Sequence, residues 1–137
     1  MTSIATQTDA GLIVPVLRDA QARDLWAHAA EIARLTGGAR SGKAVRDELS
    51  VPTITLTSLG KLGGIMSTPV INHPEVAIVG VNRIAARPAV REGAVVVRQM
   101  KNLSSSFDHC VVDGAIGAGF VQALREMLEQ PATLFVE

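Results

Sequence analysis

Residues 76–84 read Val-Ala-Ile-Val-Gly-Val-Asn-Arg-Ile, a β-branched run that predicts a strand. Gly80 inside it predicts a bulge or a close approach of another backbone segment. The core around such a strand has few aromatic side chains to draw on. The chain has no Tyr, one Trp and three Phe, yet 47% of its residues are hydrophobic. Val, Ile, Leu and Ala must therefore fill the interior, and a neutral aliphatic chain of this kind associates readily with copies of itself.

The flanking pattern supplies the rest of a mixed sheet. Residues 3–8 and 12–17 read as strands around a turn at Asp9-Ala10-Gly11, with Pro15 pointing to an edge or a short strand. Asp19 is the expected N-cap of a helix reaching about Leu35, with Leu25, Ala29, Ile32 and Ala33 on one face and Gly37-Gly38 as the stop. Residues 38–43 read as a basic loop and 45–49 as one more helical turn. Thr alternates with Ile and Leu over 53–58 before Gly60 and Gly63-Gly64 break the strand. Residues 94–100 follow a turn at Glu92-Gly93, and 103–107 form another short strand. The last element is a helix over about 115–129, with Ile116, Phe120, Leu124, Met127 and Leu128 on one side and Pro131 after it. Strands in the middle with helices near the two ends predict an α+β architecture, a mixed β-sheet with flanking helices. At 137 residues without repeats or linkers, one domain is expected.

Several functional classes are disfavoured. Thirteen basic and thirteen acidic residues give zero net charge, so the electrostatic footprint of a nucleic-acid or anionic-membrane binder is missing. The single cysteine, Cys110, excludes an internal disulfide and a multi-cysteine zinc site. No apolar run approaches membrane-spanning length and no secretory leader pattern opens the chain, so a soluble intracellular domain is expected.

Three histidines compete for a chemical role. His28 falls within the first helix and reads as a surface residue, and His73, before Pro74, reads as a turn residue. His109 stands in Phe107-Asp108-His109-Cys110-Val111-Val112-Asp113-Gly114, between a strand end and a small-residue helix start, where catalytic groups often lie. Spacing alone leaves alternatives: Asp113 as a helix N-cap, His109 as a core histidine, Cys110 as a small apolar residue.

The stretch from Ser104 to Ala115 resembles the His-x-x-x-Asp-Gly signature of the dihydrolipoyllysine acyltransferases, the core components of 2-oxoacid dehydrogenase complexes. Similar blocks follow in family order: Gly11-Leu12-Ile13-Val14-Pro15-Val16, the segment 53–60 with Gly63-Gly64, and Thr68-Pro69-Val70-Ile71-Asn72 leading into residues 74–80. The opening residues 5–11 and the ending 128–135 look most like branched-chain members. The resemblance implies a chloramphenicol acetyltransferase-like, coenzyme A-dependent acyltransferase fold, truncated at the N-terminus so that residues 1–137 are the C-terminal part of the catalytic domain. Cys110 departs from the arginine usual there, which removes any charge role at that position. None of Lys43, Lys61 and Lys101 has the context of a lipoyl-bearing lysine, so the lipoyl group is expected from a separate module.

The implied chemistry moves a branched-chain acyl group between a dihydrolipoamide thiol and coenzyme A. A thiol is mostly protonated near neutrality and needs a base, and the resemblance gives that role to His109. Thr57 is the implied hydrogen-bond donor to the tetrahedral oxyanion, with Ser58 beside it. Asp113 is expected to fix the His109 loop through hydrogen bonds or an arginine partner. Ser58, Asn82, Ile84 and Gln7 are the implied coenzyme A contacts, and no metal is expected. The implied assembly is a trimer with sites between neighbouring subunits, extended to a cube-like core by the apolar Leu134 and Phe135 near the C-terminus. Decarboxylase and dihydrolipoamide dehydrogenase components are the implied partners. The implied location is the cytoplasm, or the mitochondrial matrix in a eukaryote. A non-catalytic assembly fragment and a stand-alone trimeric acyltransferase are the competing readings.

Overall fold

In the computed structural model, which describes residues 1–135, each of the first two expected strands is divided. β1 (Thr2–Ile4) joins the main sheet, whereas β2 (Thr6–Thr8) leaves it and pairs antiparallel with β3 (Gly11–Ile13). β4 (Val16–Leu17) then returns beside β1. Gly11, at φ 118°, makes the reversal that an L side chain would resist. Pro15 marks the second break because it has no N–H for a ladder, and its carbonyl accepts from the Ile4 N–H at 2.9 Å. As expected for a neighbour of proline, β4 is an edge strand.

The first helix is shifted toward the C-terminus relative to its expected span. Asp19 takes a left-handed conformation and starts only a short 3₁₀ turn, Ala20–Ala22, without a side-chain cap. α1 (Leu25–Arg40) is capped instead by Asp24, whose carboxylate accepts from the Ala27 N–H at 2.7 Å. The helix passes through Gly37-Gly38, at a cost of about 1 kcal/mol per glycine relative to alanine. Burial of Leu35 and Ala39 on either side of the pair holds it helical. Termination falls to Gly42, at φ 70°. The Gly42 N–H bonds the Ala39 carbonyl and the Lys43 N–H bonds the Gly38 carbonyl, the paired bonds of a Schellman end. Residues 38–43 are thus the last helical turn and its cap, not a loop. The inward line also differs: Leu25, Ala29 and Ala33 are exposed, while Ile32, Leu35, Thr36 and Ala39 face the sheet side.

A 3₁₀ turn over Arg46–Leu49 follows and is clasped to α1 by Arg34, which bonds Glu31 and Glu48 at 2.8 Å each. Hydrogen bonds from Arg34 hold both carboxyls below their ordinary range, and the two glutamates hold the guanidinium protonated more firmly. A carboxylate whose folded pKa is depressed stabilises the fold above its unfolded pKa of about 4.3, and that contribution is lost as the pH falls through the lower folded value. Arg34→Met is therefore expected to shallow the loss of thermal stability between about pH 5 and pH 2. Its effect at pH 7 should be only about 1–3 °C, because the cluster is solvated. Thermal scans of parent and variant across that pH range check this, and parallel acid limbs would refute it.

β5 (Ile54–Thr57) runs parallel to β1, and β6 (Ala77–Val81) runs parallel to β5. β7 (Ala85–Arg91) and β8 (Ala94–Met100) form a separate hairpin, turning at Glu92 and Gly93 with φ 50° and 80°. β7 is not among the expected strands; its Pro88 argues against a strand unless that strand lies at an edge, as it does. β9 (Leu103–Phe107) closes the main sheet antiparallel to β6, giving the order β4-β1-β5-β6-β9. α2 (Gly114–Glu129) and a 3₁₀ turn, Pro131–Phe135, complete the described chain. Gly80 marks a close approach, not a bulge: a Cβ there would lie 2.8 Å from the Ser67 hydroxyl.

The sheet centre contains a polar cluster that the sequence does not reveal. Ser3 and Thr55, direct partners across β1 and β5, share a 2.7 Å hydrogen bond. Thr55 donates in turn to Glu75, which is 3% exposed and also accepts from Asn72 at 3.1 Å. These bonds satisfy a carboxylate that would be costly to bury unpaired, and they pin the register of the parallel strands. Among the described residues no helix is long and apolar enough to cross a membrane.

Candidate active site

His109 lies just past β9 in a turn held by Asp108. The Asp108 carboxylate accepts from the Cys110 N–H at 2.9 Å, and its carbonyl accepts from the N–H groups of Val111 and Val112. The Asp108 N–H is tied to the Val76 carbonyl, which anchors the turn to the entry of β6. Asp108 is thus a loop-fixing residue missed in the sequence, although an aspartate two residues before a turn amide is a recognisable local signal. His109 and Cys110 are exposed, so the imidazole is open to a substrate.

Asp113 takes the N-cap role that its spacing left open, a hydrogen-bonding role compatible with steadying the His109 segment. Its carboxylate accepts from the Ile116 N–H at 2.8 Å and caps α2, and it forms no ion pair with an arginine among the described residues. It steadies the helix that begins five residues after His109 instead of reaching across to a partner. α2 packs against β9 where Gly117 meets the Phe107 ring; a Cβ at Gly117 would lie 3.1 Å from it. Phe120 adds an edge-to-face contact with Phe107, the centroids 6.0 Å apart. Between strand and helix runs a groove of about 510 Å³, lined by Ser105, Phe107, His109, Asp113, Gly117 and Gln122 among others. His109 and Asp113 therefore share one site.

Thr57 lies elsewhere. It is level with Gly80 on β6, whereas Phe107, two residues before His109, is level with Ala77. Three residues of strand amount to about 10 Å, and β9 is two strands away from β5 at about 4.8 Å per spacing. Within one chain Thr57 and His109 thus sit at opposite ends of the sheet. Ser58 is exposed next to Thr57 and accepts from the Gly60 N–H at 3.2 Å. Ile84, 59% exposed, lines a second groove of about 650 Å³ with Met66, Met100, Lys101 and Leu128. Gln7 is exposed on β2, on the hairpin that follows the Thr57 end of β1. Asn82 is buried, and its amide donates to the Asn102 carbonyl and the Ser104 hydroxyl. It is a strut between β6 and β9, not a side chain open to a ligand. His28 is half-buried, with Nδ1 2.8 Å from the Asp24 carbonyl, and His73 is an exposed turn residue beside Pro74.

The sheet with its capped C-terminal helix is the α+β, chloramphenicol acetyltransferase-like fold of acyltransferase cores. Residues 2–136 match the family of 2-oxoacid dehydrogenases acyltransferase (catalytic domain), and the chain belongs to that family. The lipoamide acyltransferase component of the branched-chain alpha-keto acid dehydrogenase complex of Pseudomonas aeruginosa is 70% identical over 134 residues, covering 98% of this chain and 31% of its own. The chain thus spans about a third of the length of such relatives. A dihydrolipoamide acetyltransferase of Azotobacter vinelandii, investigated for the roles of a serine, a histidine and an asparagine in its catalytic mechanism, superposes with a TM-score of 0.94. It is 38% identical and the match covers 98% of this chain and 56% of that one. The cubic core of a pyruvate dehydrogenase multienzyme complex matches equally, at a TM-score of 0.94 and 38% identity over the same shares.

Proposed function

We propose that residues 1–137 form the C-terminal part of an acyltransferase catalytic domain that moves a branched-chain acyl group from a dihydrolipoamide thiol to coenzyme A. One observation carries the reading to these residues. The serine, histidine and asparagine under study in the Azotobacter enzyme are separated by the same intervals as Thr57, His109 and Asp113 here. The 70% identity to a branched-chain component supports the acyl class.

In this reading His109 removes the proton from the coenzyme A thiol, and the thiolate attacks the thioester carbonyl. The Thr57 hydroxyl donates to the oxyanion that forms. Collapse breaks the bond to the dihydrolipoyl sulfur, and His109 returns the proton to that leaving thiolate. Asp113 acts through the helix cap and touches no substrate. Ser58, Ile84 and Gln7 contact coenzyme A, and Asn82 supports them from the interior. Because Thr57 and His109 are at opposite ends of one chain's sheet, a complete site takes His109 from one subunit and Thr57 from its neighbour in a trimer. The lipoyl group arrives on a separate module, and decarboxylase and dihydrolipoamide dehydrogenase components act before and after.

The test is an acyl-exchange assay between dihydrolipoamide and coenzyme A on the purified chain, with its mass in solution measured alongside. Exchange by a trimer supports the reading. A trimer that exchanges nothing favours the second reading, a non-catalytic assembly fragment, which the distance between Thr57 and His109 within a chain also fits.

Assembly has its own expected outcome. Leu134 and Phe135 are 55% and 73% exposed, so they do not fold back onto their own subunit. Burying either is worth about 1.5–3 kcal/mol. In the proposed core they insert into a neighbouring trimer and build a hollow cube. Leu134→Asp combined with Phe135→Asp should leave trimers intact and stop higher assembly in sedimentation. Identical large particles from parent and variant, or an unfolded variant, would sink this role.

A further inference from the structure

Ser105 carries the only buried side-chain polar atom among the described residues that lacks a hydrogen-bond partner. Its neighbours on β9 are differently placed. Ser104 accepts from the Ser67 N–H and the Asn82 amide, and Ser106 donates to the Pro69 carbonyl at 2.6 Å. Strand alternation turns Ser105 the other way, with Leu103 and Phe107, into the groove that holds His109 and Asp113. An unpaired buried hydroxyl weakens a fold, and an apolar side chain between Leu103 and Phe107 would avoid the penalty. A ligand atom in the groove would supply the missing partner.

The groove has the shape for a linear ligand. It shares Leu103 and Val121 with the second groove, which continues to Met66, Ile84 and Lys101. A molecule with its reactive end at His109 passes Ser105 on the way, within at most about 14 Å of chain. Both thiols of the proposed reaction are linear arms with an amide several bonds from the sulfur.

We propose that Ser105 positions a thiol substrate by donating its hydroxyl hydrogen to an amide carbonyl of that arm while the sulfur lies at His109. The inference rests on the acyl-exchange reading and adds a residue to its site. Ser105 is a positioning residue that contacts the arm, not the reacting atoms.

The test compares the parent chain with Ser105→Ala, using coenzyme A, dihydrolipoamide and a simple alkanethiol without an amide. For one of the two amide-bearing thiols, KM and the calorimetric Kd should rise about 3- to 10-fold while kcat changes less than about 2-fold. The affected substrate identifies which arm lies in the groove. The alkanethiol should not distinguish the two proteins, and the thermal midpoint of the variant should be unchanged or higher. Unchanged KM and Kd for both amide-bearing thiols would overturn the proposal, as would an equal loss with the alkanethiol, which would mean a reshaped groove. If the parent neither binds nor exchanges either thiol, the acyl-exchange reading falls and this inference with it.

Discussion

Replacing His109 by alanine or asparagine in the complete catalytic domain is expected to lower thiol-to-thiol acyl transfer by about 10²–10⁴-fold, the usual worth of a positioned general base. The fold should be untouched. His109 is exposed in a turn whose hydrogen bonds come from Asp108, so nothing that holds the turn is removed. Circular dichroism and thermal unfolding of the variant establish that it is folded, and a coupled exchange assay reads the rate. Near-normal turnover in a folded variant would exclude His109 as the base.

Thr57→Val is expected to lower kcat by about 10²–10³-fold with little change in the KM for coenzyme A. A donor that meets the oxyanion only in the transition state contributes there and not to ground-state binding. Valine suits a strand as well as threonine does, so β5 should persist. Thr57 also lies outside the buried cluster that Thr55 forms with Ser3 and Glu75, so that network stays intact. Steady-state kinetics on the folded variant decide the matter. An unchanged kcat would transfer the oxyanion role, with Ser58 next to be examined. In a mixed oligomer, inactive Thr57→Val and His109→Ala chains should restore partial activity, because the proposed site draws one residue from each subunit.

Local interactions were legible in the sequence. Asp113 as the cap of α2 follows from a bond three residues long, and the Glu92-Gly93 reversal follows from two residues with positive φ. The strands at 54–57 and 77–81 are visible because their β-branched residues suit the interior. The family resemblance pointed to His109 and Asp113 through one motif and to Thr57 through a separate strand-end block, as candidates. Where two local signals competed, the choice was not local. Asp19 and Asp24 both precede helical residues, and the helix starts at the one that lets Leu35 and Ala39 reach the core. Gly37-Gly38 resembles a stop, but packing carries the helix to Gly42.

The sequence by itself determined the α+β class, the family and the identity of the candidate chemical groups, because these depend on periodicity, capping and a contiguous motif. The tertiary structure alone decided how those groups stand to one another. Glu75 became a buried anchor only when strands far apart in sequence brought Ser3 and Thr55 to it. Ser105 became an unpaired hydroxyl in the groove that it shares with His109 only because α2 packs against β9. The separation of Thr57 from His109 followed from the antiparallel turn of β9 against β6. Such relations are set by burial and strand order, which sum over contacts distant along the chain and leave no mark in any short stretch of it.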